Sequence, residues 1–243
     1  MTTCKNCGHQ FEGNYCNHCG QTAQTHRLDW AFMLHSVEHS VFHLDRGIIY
    51  TVREIFLRPG DTIRKFIEGQ RRKYTHPLTY LVVISILYFL GTDLLLPHVQ
   101  NAVNGTDIDG FMRKNYLHIT MIILVPLAAL YTPVFYPDKP YNFVELFSFH
   151  CYMRAQFMLF ELTIVIINWP LSKIGVLIPN IYLTIVIIVL NVLFLAWALK
   201  DFFKEKSFWL SLSKSLGLMA MIVMSAVIIA KIAALLIYGT GGK

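Results

Sequence analysis

The chain has 243 residues, 55% of them hydrophobic and 15% charged, with a mean hydropathy of +0.48. A soluble domain carries about 25% charged residues, so this balance excludes an ordinary water-soluble globule and points to lipid as the solvent. The formal net charge of +6 does not require nucleic acid, because basic loops on the cytoplasmic side of a membrane protein account for it.

The charges are unevenly placed. Residues 1–77 hold ten of the 21 Lys and Arg and seven of the 15 Asp and Glu; from Leu78 onward the chain consists of apolar runs separated by short polar breaks. The chain opens Met1-Thr2-Thr3-Cys4 without a secretory signal. Its N-terminus is therefore expected in a reducing cytoplasm, where thiols hold metal rather than form disulfides.

Residues 1–21 carry the sharpest motif, Cys4-Lys5-Asn6-Cys7-Gly8 followed by Cys16-Asn17-His18-Cys19-Gly20. A two-residue spacer lets both thiolates of each knuckle reach one ion, and glycine accepts the turn after each pair. Four thiolates, Cys4, Cys7, Cys16 and Cys19, fill a tetrahedral zinc shell with no open position, which predicts a structural zinc ribbon. Phe11 and Tyr15 are expected to cover the metal, and His9 and His18 to be loop residues. Lys5 is the only Lys or Arg here, which argues against a nucleic-acid surface.

Residues 22–77 read as cytoplasmic amphipathic helices and a basic juxtamembrane linker. Trp30, Met33, Leu34, Val37, Val41 and Leu44 recur at helical spacing, with His35, His39 and His43 on the opposite face. Those imidazoles could bind a second metal or sense pH, or could simply be polar-face residues. His35-Ser36-Val37-Glu38-His39 also spells H-x-x-E-H, the inverted zinc-protease motif, but no acidic residue has a clear claim to be its third ligand. Next, Pro59-Gly60 marks a helix stop and restart, and Gly69 ends the second helix. Arg58, Arg64, Arg71, Arg72 and Lys73 are candidates for binding anionic lipid phosphates.

Residues 78–243 predict an all-α polytopic bundle of about five transmembrane helices: Leu78–Leu96, Tyr116–Tyr136, Val144–Trp169, Ile174–Leu199 and Phe208–Tyr238. Lys139, Lys200, Lys204 and Lys206 join the basic N-terminal region on one side. This puts the N-terminus in the cytoplasm and the C-terminus on the opposite side of the membrane. Pro126 and Pro133 should kink the second span.

The third span carries Glu145, His150, Arg154 and Glu161 as intramembrane polar candidates. Such groups either clamp helices together or line a substrate or proton site. Arg154 and Glu161 are separated by about 10 Å of helical rise, which predicts separate partners. Glu145, nearest the inner interface, is expected to be solvated, and Cys151 to be a packing residue.

The chain resembles an uncharacterised family of bacterial inner-membrane proteins, common in Bacteroidota and known only as a domain of unknown function. The resemblance rests on the double CxxCG ending Cys19-Gly20-Gln21, on Asp45-Arg46-Gly47 and Thr51, and on Arg58-Pro59-Gly60. It continues through Ile67-Glu68-Gly69-Gln70-Arg71 with Tyr74 and Pro77, and through Asn142-Phe143-Val144-Glu145 with His150. The family pattern tends to place histidine after that glutamate, where this chain has Leu146. The resemblance implies the topology and the zinc, but no activity.

Three functions compete. The first is a non-enzymatic scaffold or signalling module that docks a cytoplasmic protein through the ribbon. The second is a transporter or lipid-handling protein built on the third span; five spans without paired halves are few for a secondary transporter, so a homo-oligomer would have to compensate. The third is a metalloenzyme using His35, Glu38 and His39.

Overall fold

The computed structural model describes residues 1–33, 47–95, 122–175 and 178–239. The described chain is mostly helical. Its few strand residues form an N-terminal pair, β1 (Thr2–Thr3) antiparallel to β2 (Gln10–Phe11), with Thr3 opposite Gln10. The helices are α1 (Gly47–Leu57), α2 (Pro59–Glu68), α3 (Pro77–Leu95), α4 (Val125–Phe135), α5 (Phe143–Lys173), α6 (Asn180–Phe203) and α7 (Phe208–Gly239).

Among the described residues, four helices are long and apolar enough to cross a membrane: Pro77–Leu95, Phe143–Leu171, Ile181–Phe203 and Phe208–Ile229. They match four of the five expected spans. The fifth, Tyr116–Tyr136, is described only from residue 122, and α4 is the apolar helix within its described part. Pro126 lies in the first turn of α4, where a missing N–H costs nothing. Helix at residues 122–123 breaks at Leu124 and restarts at Val125, so the second span is interrupted beside Pro126.

Two boundaries differ from expectation. α5 continues through Pro170 to Lys173, and the next span begins at Asn180 rather than Ile174. Gly175, at φ +82, makes the turn between them. α6 also runs past Leu199 to Phe203, because Arg64 and Lys139 donate to its terminal carbonyls and cations stabilise a helix C-terminus.

α5 is the centre of the bundle. It packs against α3 on one side and α4 on another, while α6 pairs with α7 and α2 leans on α6. Its N-terminal half is wrapped on every side: Val144 through Met158 are all buried, with Tyr152, Phe149 and Met158 almost fully so. The C-terminal half turns Thr163, Ile166 and Ile167 outward, as a lipid-facing helix does.

Gly60 fixes the position of the α1–α2 hairpin. A Cβ there would overlap the Phe202 nitrogen and the Ala198 carbonyl oxygen, so the α2 backbone rests directly on α6. The contact joins the N-terminus of one helix to the C-terminal turn of another. Asp201 Oδ2 accepts the Asp61 N–H (2.6 Å), and Arg64 donates to the Asp201 carbonyl (2.7 Å) and to Asp61 Oδ1 (2.6 Å). Carboxylate meets N-terminus and guanidinium meets C-terminus, the favourable sense at both ends.

Candidate metal centre and its seat on the bundle

The four N-terminal cysteines converge. Cys4, Cys7, Cys16 and Cys19 are free thiols with every Sγ within 4.8 Å of the others. Cys4 Sγ lies 3.5 Å from Cys19 Sγ, and Cys7 Sγ lies 3.7 Å from Cys16 Sγ. A tetrahedron of sulfurs at the zinc–thiolate distance of about 2.3 Å has edges near 3.8 Å. The cage therefore fits one metal ion.

Its two halves repeat. Gly8 N–H donates to the Cys4 carbonyl and Cys4 N–H to the His9 carbonyl, both at 2.9 Å; Gly20 to Cys16 and Cys16 to Gln21 do the same at 2.8 Å. Gly8 and Gly20 have φ of +77 and +73, a left-handed turn that glycine takes without strain. The Thr3–Gln10 pairing in the first half becomes the Tyr15–Thr22 bridge in the second.

Phe11 covers the sulfurs as expected, packed with Cys4 and Cys16 and flanked by Ala23. Tyr15 does not, being 64% exposed; its main chain is held in the bridge while its ring faces outward. His9 and His18 stack on each other at the surface (5.6 Å).

The thiols differ in acidity. Burial opposes ionisation of Cys19, but the Gln21 N–H and the Asn6 side chain favour its thiolate and lower it to about 6. For Cys7 the His9 N–H favours the thiolate, yet burial and the neighbouring sulfurs outweigh it and push the thiol up to about 12.

The cysteine module is seated on the bundle. Gln21, which closes the second knuckle through its carbonyl, is buried and uses both ends of its amide: Nε2 donates to the Gly69 carbonyl (2.8 Å), and Oε1 accepts the Arg71 N–H (3.2 Å). Lys5 reaches the Thr25 carbonyl (3.0 Å). Residues 26–33 then cross the end of the bundle. Arg71 donates to the His26 carbonyl and lies 4.2 Å from the Phe32 ring centroid. Trp30 packs against Phe143 and Phe147, and Asp29 accepts the Phe32 N–H (2.8 Å).

This strap explains Glu145, which is buried rather than solvated. Arg27 grips both of its oxygens, at 2.7 and 2.8 Å. The carboxylate also accepts the Asn142 N–H (2.8 Å) while Asn142 Oδ1 accepts the Glu145 N–H (2.9 Å), a capping box at the start of α5. Asn142 Nδ2 donates to the Leu28 carbonyl (3.0 Å).

The basic candidates divide. Arg58, Arg72 and Lys73 are exposed; Arg64 is held by Asp61 and the end of α6, and Arg71 is turned inward to the strap. Burial lowers the Arg71 pKa, against the opposing charges of Asp29 and Glu145.

In α5, Arg154 Nη1 reaches Glu161 Oε1 at 3.4 Å, so the expected separate partners give way to a direct contact. Two turns of rise are bridged because helical side chains lean toward the N-terminus, which brings Glu161 to the long guanidinium. His150 Nε2 pairs with Thr132 Oγ1 (2.7 Å), and Tyr80 OH donates to Gln156 (3.1 Å). His35, Glu38, His39 and His43 lie outside the described residues.

Sequence reasoning missed Gln21, Arg27, Asn142 and Asp201. Asn142-Phe143-Val144-Glu145 was readable as a capping box; the other three act across more than 40 residues and leave no local pattern.

Residues 45–89 match a family model described as "Protein of unknown function (DUF3667)". The matched segment takes in α1, α2 and α3 as far as Phe89, including Arg58-Pro59-Gly60 and Gly69, and excludes the cysteines and Glu145. No curated protein and no solved structure matches the chain significantly.

Proposed function

We propose that this chain is a non-enzymatic membrane scaffold, carrying a zinc ribbon on the cytoplasmic side of a bacterial inner membrane and docking a protein partner there. One observation carries the reading: a closed cage of four thiols, with no ligand position left for substrate, fixed to a helical bundle rather than tethered to it. Zinc would be held by Cys4, Cys7, Cys16 and Cys19 and would supply rigidity alone. The orientation rests on Lys and Arg placement, since Lys139, Lys204 and Lys206 belong to the loops on the ribbon side.

Elemental analysis of purified protein tests the metal: one zinc per chain is expected, and two would favour a second site at His35, Glu38 and His39. Deleting residues 1–21 tests the docking. Loss of a co-purifying partner with membrane insertion retained supports it; an unchanged set of partners overturns it.

A second reading, a transporter or lipid-handling protein, draws on the polar contacts inside α5. Neutral variants Arg154→Gln and Glu161→Gln that alter flux or bound lipid while the protein stays folded would favour it. Silent variants would leave the pair a helix clamp.

A further inference from the structure

We propose that α1 and α2 form a re-entrant hairpin, sunk into the leaflet on the cysteine-module side, with the outer face of α1 in contact with lipid acyl chains. Its position relative to the spans supports this. The described part of α3 has 19 residues and is about 28 Å long, enough to cross the hydrocarbon core. Near its N-terminus, Tyr80 meets Tyr152 (5.5 Å) and bonds Gln156. The near boundary of the core therefore lies about level with Tyr152 of α5.

The hairpin passes that level. Phe56, at the end of α1, packs edge-on against Phe160 of α5 (6.1 Å). Phe160 is about 12 Å further along the helix than Tyr152. At the other end of α1, Gly47 lies beside Thr75, whose carbonyl accepts the Tyr152 hydroxyl. α1 thus climbs from the boundary into the core and turns at Arg58-Pro59; α2 starts against the C-terminal turn of α6 and brings Phe66 back to Tyr152 (5.8 Å).

The exposed surface agrees. α1 buries Thr51 and Ile55 against the bundle and turns Ile49, Tyr50, Phe56 and Leu57 outward, with Arg53 among them. Outward apolar residues on α3 begin at Val82, and the outward residues of α5 at Thr163. Neither stripe alone spans about 30 Å of hydrocarbon. The face of α1 continues the belt below the outward stripe of α5. An apolar face of this size in water would be an aggregation surface, whereas in the inner part of a leaflet it is solvated by chains. Arg53 and Arg58 are both exposed, and their stems can turn the charges toward the headgroup side.

The full-length protein in nanodiscs of phosphatidylethanolamine and phosphatidylglycerol tests this. An environment-sensitive fluorescent amino acid, encoded at Ile49, Phe56, Leu57, Leu90 or Glu12, avoids thiol chemistry at the cysteines. Lipids brominated on the acyl chain should quench the probe at Phe56 and Leu57 as strongly as at Leu90 in α3, while aqueous iodide quenches only the probe at Glu12. The probe at Ile49 should read shallower than that at Phe56. Iodide quenching at Phe56 and Leu57 without bromine quenching would place the hairpin in water and overturn the proposal. Quenching by neither would mean that protein covers the face, and would overturn it too. So would an Ile49 probe deeper than the Phe56 probe.

Discussion

Arg27 and Glu145 form a two-pronged ion pair across 118 residues of sequence, at 2.7 and 2.8 Å. Its members are unequal, because the Glu145 side chain is 5% exposed and that of Arg27 57%. Removing the arginine strands a buried carboxylate, whereas removing the carboxylate frees a guanidinium that water already reaches. Arg27→Ala should therefore cost about 1–3 kcal/mol. Glu145→Gln in that background should recover part of the loss. Thermal midpoints in detergent for the two single variants and the double variant would measure the coupling, and additive losses would contradict it.

Metal uptake by the cysteine cage should depend on pH in a defined sense. Thiolate ligands compete with protons, so affinity should rise with pH and fall on acidification. Cys19, at about 6, is largely ionised at neutral pH, and Cys7, at about 12, is not. Zinc added to metal-free protein at neutral pH should release fewer than four protons per ion, at least one of them from Cys7. Proton release in weakly buffered solution reads this directly.

Gly60→Ala should be among the most damaging single-methyl changes in the protein. The new carbon would overlap backbone atoms of Phe202 and Ala198, which cannot rotate away as a side chain could. Separating α2 from α6 also breaks the Asp61–Asp201 and Arg64–Asp201 hydrogen bonds, for a total of about 3 kcal/mol or more. Gly8→Ala meets nothing within 4 Å but keeps a positive φ, and should cost about 1–2 kcal/mol. Equal thermal midpoints for the two variants would refute the distinction.

His76 gives the fold an acid sensitivity. Its ring lies between Phe32 (5.3 Å) and Phe66 (6.3 Å), and neither ring nitrogen has a hydrogen-bond partner. Burial, reinforced by the Arg71 charge, lowers its pKa from 6.5 to about 4. The unfolded chain thus takes up a proton that the folded chain refuses, and stability falls as pH drops from 6.5 toward 4. The loss should be about 2 kcal/mol near pH 5. His76→Phe keeps the ring packing and should flatten this part of the profile; an unchanged profile would assign the acid sensitivity elsewhere.

The apolar runs made the spans legible, because hydrocarbon demands an unbroken length that shows directly in the residues. The CxxCG pair made the thiol cage legible, because its ligands are close in sequence and its glycines have a conformational reason to be there. The seat of the cage was hidden. Gln21 looked like no more than the end of the cysteine motif, and Arg71 looked like a charge for lipid headgroups, but both act on groups that only tertiary structure brings near. Arithmetic on helical rise separated Arg154 from Glu161, yet their contact depends on the lean and length of the side chains.

The order of synthesis matters for a strap that joins the N-terminal region to the middle of the sequence. The thiol knuckles leave the ribosome first and can close around an ion by themselves. The partners of the strap at Pro140, Asn142 and Glu145 are made more than a hundred residues later, roughly 6–24 seconds at common elongation rates. During that interval Trp30 and Arg27 lack their partners on α5. Biogenesis therefore has a late step, the arrival of α5 in the membrane, and a nascent chain stalled before it is the form most exposed to proteases and chaperones.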